Sequence, residues 1–88
     1  MDTKIKQNLT NRLHRIKGQV EGLERMVGAE KYCPDIIVQS LSIKESLKSF
    51  NSIMLENHIR EHVSHQVQKG EMEKAVRELI KIYKLNSK

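Results

Sequence analysis

The stretch that decides the fold is residues 33–67, CPDIIVQSLSIKESLKSFNSIMLENHIREHVSHQV, which has no glycine and no proline after Pro34. Pro34 suits the first turn of a helix, where its missing N–H leaves nothing unpaired, and Asp35 complements the dipole of that turn. Ile37, Leu41, Ile43, Leu47, Phe50, Met54 and Val63 supply an apolar side, so the spacing predicts one long helix from Cys33 to about residue 67. The stretch opens on the only cysteine of the chain and carries His58 and His62 as an H-x-x-x-H step that faces one side of a helix. A thiol and two imidazoles form a donor set for a soft metal. On a straight helix, a rise of 1.5 Å per residue sets Cys33 and His58 about 37 Å apart. One subunit cannot close such a site. Two copies pairing antiparallel, crossing near residues 46–47, would bring Cys33 of one beside His58 and His62 of the other, and a twofold axis would create two sites.

Two further helices flank this one. Ile5, Leu9, Leu13, Ile16, Val20, Leu23 and Val27 recur at steps of three and four, predicting a helix from about residue 4 to 28, with Thr3 as its N-cap and Gly28 as its stop. After a break at Gly70, Met72, Ala75, Val76, Leu79, Ile80 and Tyr83 fall on a third helical stripe. The fold class is therefore all-α, three helices per chain, with residues 1–88 forming a single domain. A helix of this length cannot be covered by two neighbours in so short a chain, which again calls for an antiparallel dimeric four-helix bundle. Gly18 and Gly22, four residues apart inside the first helix, share a face where close helix contact would account for them.

Composition narrows the function. A single cysteine forms no internal disulfide and suits a reducing compartment. The segment MDTKIKQNLTNR has no apolar run, and no later stretch is long and apolar enough to span a bilayer, so the expected location is the cytoplasm, away from membranes. The net charge of +5 is unevenly distributed. Residues 1–20 carry Lys4, Lys6, Arg12, Arg15 and Lys17 against Asp2 alone, whereas residues 34–67 set Lys44, Lys48 and Arg60 against Asp35, Glu45, Glu56 and Glu61. A positive face on a small protein points to nucleic acid. Aromatic residues amount to only 3%, which disfavours recognition of single strands by stacking, and no short helix-turn-helix unit is present. Arg12 and Arg15 share a polar stripe with Asn8, Asn11 and Gln19 and are the first-choice DNA contacts, with Lys4, Lys6 and Lys17 neutralising phosphates. Nothing resembles a catalytic set or a phosphate-cradling loop, so neither an enzyme nor a small-molecule substrate is expected.

The run from Arg12 to Leu23, RLHRIKGQVEGL, resembles the opening-helix pattern R-L-x-R-I-x-G-Q-x-x-G of the CsoR/RcnR family of metal-sensing transcriptional repressors, and the similarity continues through Tyr32-Cys33, Met54–His58 and Glu78-Leu79. The resemblance implies an antiparallel helical dimer that associates into a dimer of dimers, binds double-stranded operator DNA when metal-free and releases it when metal binds. Position by position, the family's first thiol ligand falls on Cys33, its histidine on His58, and its third ligand, cysteine in typical copper sensors, on His62. Tyr32 and Glu78 fall on positions that surround the site in the copper branch, and a carboxylate on His58 would tie the site to the last helix. Thiolate plus two imidazoles suits three-coordinate Cu(I). The nickel and cobalt branch shares the pattern His58, His62, His65 but takes a further histidine near the N-terminus, where this chain has none before His14. Ni(II), Co(II) and Zn(II) stay as alternatives. Persulfide sensors of the family need a second cysteine where His62 stands. Where the family often carries basic residues in the middle helix, this chain has Ser49 and Ser52, with Lys44 and Lys48 nearby. Outside the family, the alternative is a helical metal-binding or interaction module that does not touch DNA.

Overall fold

The computed structural model describes all residues, Met1–Lys88, and contains helices and no strands. Helix α1 spans Thr3–Gly28 and α2 spans Cys33–His58; a π-helical turn, Ile59–Val63, leads into the short α3, Ser64–Gln68, and α4 spans Met72–Asn86. The chain divides into two compact units, Met1–Met54 and Leu55–Lys88, with the boundary inside α2.

In the first unit, α1 starts at Thr3 itself, and its cap lies one residue before the expected one. The Asp2 carboxylate accepts the Ile5 N–H at 2.9 Å, and Thr3 is already helical. A carboxylate there both pairs an orphan donor and faces the positive end of the dipole. The helix stops at Gly28, as expected, but the left-handed residue of the closure is not glycine. Gly28 closes the helix in ordinary helical conformation, and Glu30 takes the left-handed turn at φ 51°, while Glu30 N–H bonds to Val27 O and Lys31 N–H to Met26 O, both at 3.0 Å. This is a Schellman closure with glutamate in the position glycine usually fills. The expected apolar stripe of α1 divides: Leu9 and Ile16, two turns apart, are buried, whereas Leu13, Val20 and Val27 face outward at seven-residue steps. From α2, Ile43 is buried, while Ile37, Val38, Leu41 and Leu47 are exposed. One polar tie joins the two helices, Gln39 Nε2 donating to the Gln19 carbonyl at 3.1 Å.

The close contact expected at both helix glycines is absent. A Cβ built on Gly18 meets nothing within 4 Å, and one on Gly22 first meets the ends of Gln39 and Arg25 at 3.6 and 3.7 Å, ordinary contact distances. Gly18 therefore weakens α1 by about 1 kcal/mol relative to alanine without serving any packing inside the chain.

In the second unit, the expected break at Gly70 is present, and glycine is needed there: φ is +77°, Gly70 N–H bonds to Val67 O at 3.1 Å and Glu71 N–H to Gln66 O at 2.7 Å. Ala75 of α4 is buried, yet Met72, Val76, Ile80 and Tyr83 of the predicted stripe are exposed. Asn57 is only 5% exposed, and its Oδ1 has no hydrogen-bond partner. The buried apolar interior of a chain this long is limited to Leu9, Ile16, Ile43 and Ala75. No helix is long and apolar enough to cross a membrane.

Candidate metal centre and basic face

The helix ends position the donors. Cys33 opens α2 as an exposed free thiol, directly after Tyr32, whose ring is exposed and whose carbonyl accepts from the N–H groups of Asp35 and Ile36 at 3.0 and 3.3 Å. His58 closes α2 and is half-buried, and His62 sits within the π turn with its ring exposed. The continuous α-helix expected through this region is thus interrupted between the two imidazoles. A π turn closes over one more residue than an α turn, and such turns concentrate at functional sites. Despite it, the ring centroids of His58 and His62 stand 5.4 Å apart, with their planes tilted by 35°. Glu61, which nothing in the sequence singles out as a site residue, brings its Oε2 to 3.9 Å from His62 Nε2, too long for a hydrogen bond.

Cys33 belongs to the first unit, and His58 and His62 to the second. Within one chain, no three histidine, cysteine, aspartate or glutamate side chains gather where they could hold a metal ion. Glu78, half-buried on α4, does not bond His58 here; its Oε1 accepts from Gln66 Nε2 at 3.5 Å, the long limit for a hydrogen bond, and Gln66 Oε1 is buried without a donor.

The second candidate surface lies wholly in the first unit. Arg12, Arg15, Ile16 and Gln19 of α1 and Glu45, Ser46 and Ser49 of α2 line a concavity of about 290 Å³. Arg12 is half-buried and donates from Nε to Asn8 Oδ1 at 3.0 Å, and Arg15 is exposed. Gln19 Oε1 is closed off from solvent without a partner. With about 100° of turn per residue, Lys4 projects on the Arg15 side of α1, whereas Lys6 and Lys17 project on the far side. Glu45 and Ser46 joined this surface without being singled out in the sequence; their place one turn before Ser49 was the available signal.

Residues 5–84 match the family described as metal-sensitive transcriptional repressors. The copper-sensing transcriptional repressor CsoR of Bacillus subtilis (strain 168) is 38% identical over 82 residues, covering 93% of this chain and 81% of that protein. CsoR of Mycobacterium tuberculosis (strain ATCC 25618 / H37Rv) is 35% identical over 78 residues, 89% of this chain and 66% of that longer protein. Among solved structures, the copper-sensing repressor CsoR with Cu(I) from Geobacillus thermodenitrificans NG80-2 superposes with a TM-score of 0.91 at 34% identity, over 100% of this chain and 92% of that one. The nickel-responsive transcriptional regulator InrS gives 0.71 at 29% identity, over 85% of this chain and 84% of that one. With four-fifths or more of both the Bacillus and Geobacillus proteins covered, this chain belongs to the family of metal-sensitive transcriptional repressors.

Proposed function

We propose that this protein is a cytoplasmic, copper-responsive repressor that binds double-stranded operator DNA when metal-free and releases it when Cu(I) occupies a site formed by Cys33 of one chain and His58 and His62 of another. The observation that carries the reading is the donor set: a free thiol and an imidazole pair, 5.4 Å between rings, on a chain in which no three candidate ligands converge. Two imidazoles at that separation can reach one ion with small side-chain rotations, since metal–nitrogen bonds are about 2.0–2.1 Å long. A thiolate with two imidazoles suits a soft d¹⁰ ion at low coordination number, and it offers Ni(II) or Co(II) too few nitrogen and oxygen donors. The full-length likeness to a copper-loaded relative supports the same choice over the weaker likeness to a nickel-responsive one.

The exposed apolar residues support assembly. Leu13, Val20 and Val27 on α1, Ile37, Val38 and Leu41 on α2, and Met72, Val76, Ile80 and Tyr83 on α4 leave more apolar surface uncovered than a lone chain of this size tolerates. An antiparallel dimer of the single 1–88 domain, paired again into a tetramer, covers these faces and completes the sites. Cys33 of one chain and His58 and His62 of the other would hold the ion, which would supply the link between the two chains at the site. His58 would be oriented through its other ring nitrogen, for which we assign Glu78 of α4 as the acceptor. Giving up the 3.5 Å contact from Gln66 loses little, so Glu78 can change partner and carry α4 with it. Tyr32 borders the thiol. Arg12, Arg15 and Lys4 contact DNA directly, and Lys6 and Lys17 add to the attracting field.

The test is a mobility shift of the duplex upstream of the protein's own gene, alone and with Cu(I), Ni(II), Co(II) or Zn(II). The expected result is a shifted band abolished by Cu(I) and retained with the others. Binding that ignores every metal overturns the sensor reading, and release by Ni(II) in preference to Cu(I) reassigns the metal.

A further inference from the structure

Gly18 sits deep inside α1, where its conformation is ordinary and a side chain would meet nothing within 4 Å. Neither backbone strain nor crowding in this chain calls for glycine, so its use lies with something that approaches from outside. Projected at about 100° per residue, α1 shows what that is. The face around Gly18 carries Lys4, Asn11, Arg15, Gly22 and Arg25, three cations against one carboxylate, Glu21, which stands as far round the helix from Gly18 as Arg15 does on the other side. The outward apolar residues Leu13, Val20 and Val27 lie on roughly the opposite side, so a second copy docking on them leaves the Gly18 face uncovered. Beside Gly18, Gln19 turns into the concavity shared with Arg12 and Arg15, and its buried Oε1 still lacks a donor.

We propose that Gly18 is a close-approach position for the DNA phosphodiester backbone: the polyanion rests against the bare helix backbone at Gly18, held there by Arg15, while Lys4 engages the nucleic acid about 21 Å further along the same face. This rests on the DNA-binding reading above and adds a steric requirement to it. A cationic side chain reaches a phosphate from a distance, but a bare backbone is needed only where the strand itself touches the helix. The glycine therefore serves the complex at the expense of the free protein.

The experiment compares Gly18→Ala, Gly18→Leu and Arg15→Ala with wild type by fluorescence anisotropy on the duplex upstream of the protein's own gene, across a salt series. Thermal unfolding, sedimentation velocity and Cu(I) titration run alongside. Both Gly18 variants should unfold several degrees higher and keep their oligomeric state and Cu(I) stoichiometry. Their DNA affinity should fall about tenfold for Ala and further for Leu, with a shallower salt dependence. Gly18→Leu binding DNA like wild type while Arg15→Ala binds weakly overturns this proposal and leaves the repressor reading standing. No DNA binding by wild type removes both. Loss of DNA binding by Gly18→Leu together with dissociation of the oligomer assigns the bare face to a second copy of the chain and also overturns the proposal.

Discussion

Mixing two inactive variants should restore metal binding, and the yield is calculable. Cys33→Ala removes the sulfur from both sites of a homodimer, and His62→Ala removes an imidazole from both. A mixed dimer differs. One of its sites carries both lesions, while the other joins the intact Cys33 of the His62→Ala chain to the intact His58 and His62 of the Cys33→Ala chain. Unfolding the two together in equal amounts and refolding gives about half mixed dimers, each with one of two sites intact, so tight Cu(I) binding returns to about a quarter of the wild-type level. The assay is competition with a chromophoric Cu(I) chelator, with each variant alone setting the baseline. The geometry behind this is the gathering of no three ligands in one chain. If the mixture binds no more than the separate variants, cysteine and histidines do not meet across chains, and the assembly proposed here is wrong.

Other consequences concern stability and DNA. Glu30→Gly relieves a left-handed residue at φ 51°, and after allowing for the greater freedom of glycine in the unfolded chain it should stabilise by about 0.5–1 kcal/mol in urea titration; a loss of stability would mean the Glu30 side chain contributes more than the strain removes. Gly70→Ala forces a side chain into φ +77° and should destabilise by about 1–2 kcal/mol, read from the same titration. Asn57→Leu replaces a buried amide whose Oδ1 lacks a donor, so thermal unfolding should move upward by the equivalent of about 1–2 kcal/mol; a downward shift identifies a donor supplied by the assembled protein. Arg15→Ala should reduce the slope of log affinity against log salt by about one for each site contacted, and an unchanged slope removes Arg15 from the phosphate contacts.

The long apolar periodicity of residues 33–67 made the central helix readable, because side chains three and four apart must share a face whatever they pack against. The breaks were readable for a similar reason: Pro34 and Gly70 have backbone requirements of their own. Which apolar residues of each stripe are buried was not readable. Leu9 and Leu13 look alike in sequence, but only Leu9 is buried, since one partner helix covers only a narrow strip of a wider apolar face. The left-handed Glu30 escaped notice because glutamate gives no turn signal, and Asp2 displaced Thr3 by a single-residue shift between two good caps. The pairing of His58 with His62 followed from the H-x-x-x-H step, and the rings do stand together. The π turn between them left no trace in Ile59–Val63, which has neither glycine nor proline. Cys33 is the donor that one chain alone could not place, as its partners were expected on another molecule from the outset.

The slight interior, four apolar side chains, has a bearing on how the protein lives in a cell. So thin a core gives a solitary chain little resistance to unfolding, and in the dimer proposed above most of the stability would come from the encounter with a sister chain. In that dimer folding and mating would be one concentration-dependent event, with the rate of synthesis governing how many newborn polypeptides escape proteolysis before they find a mate.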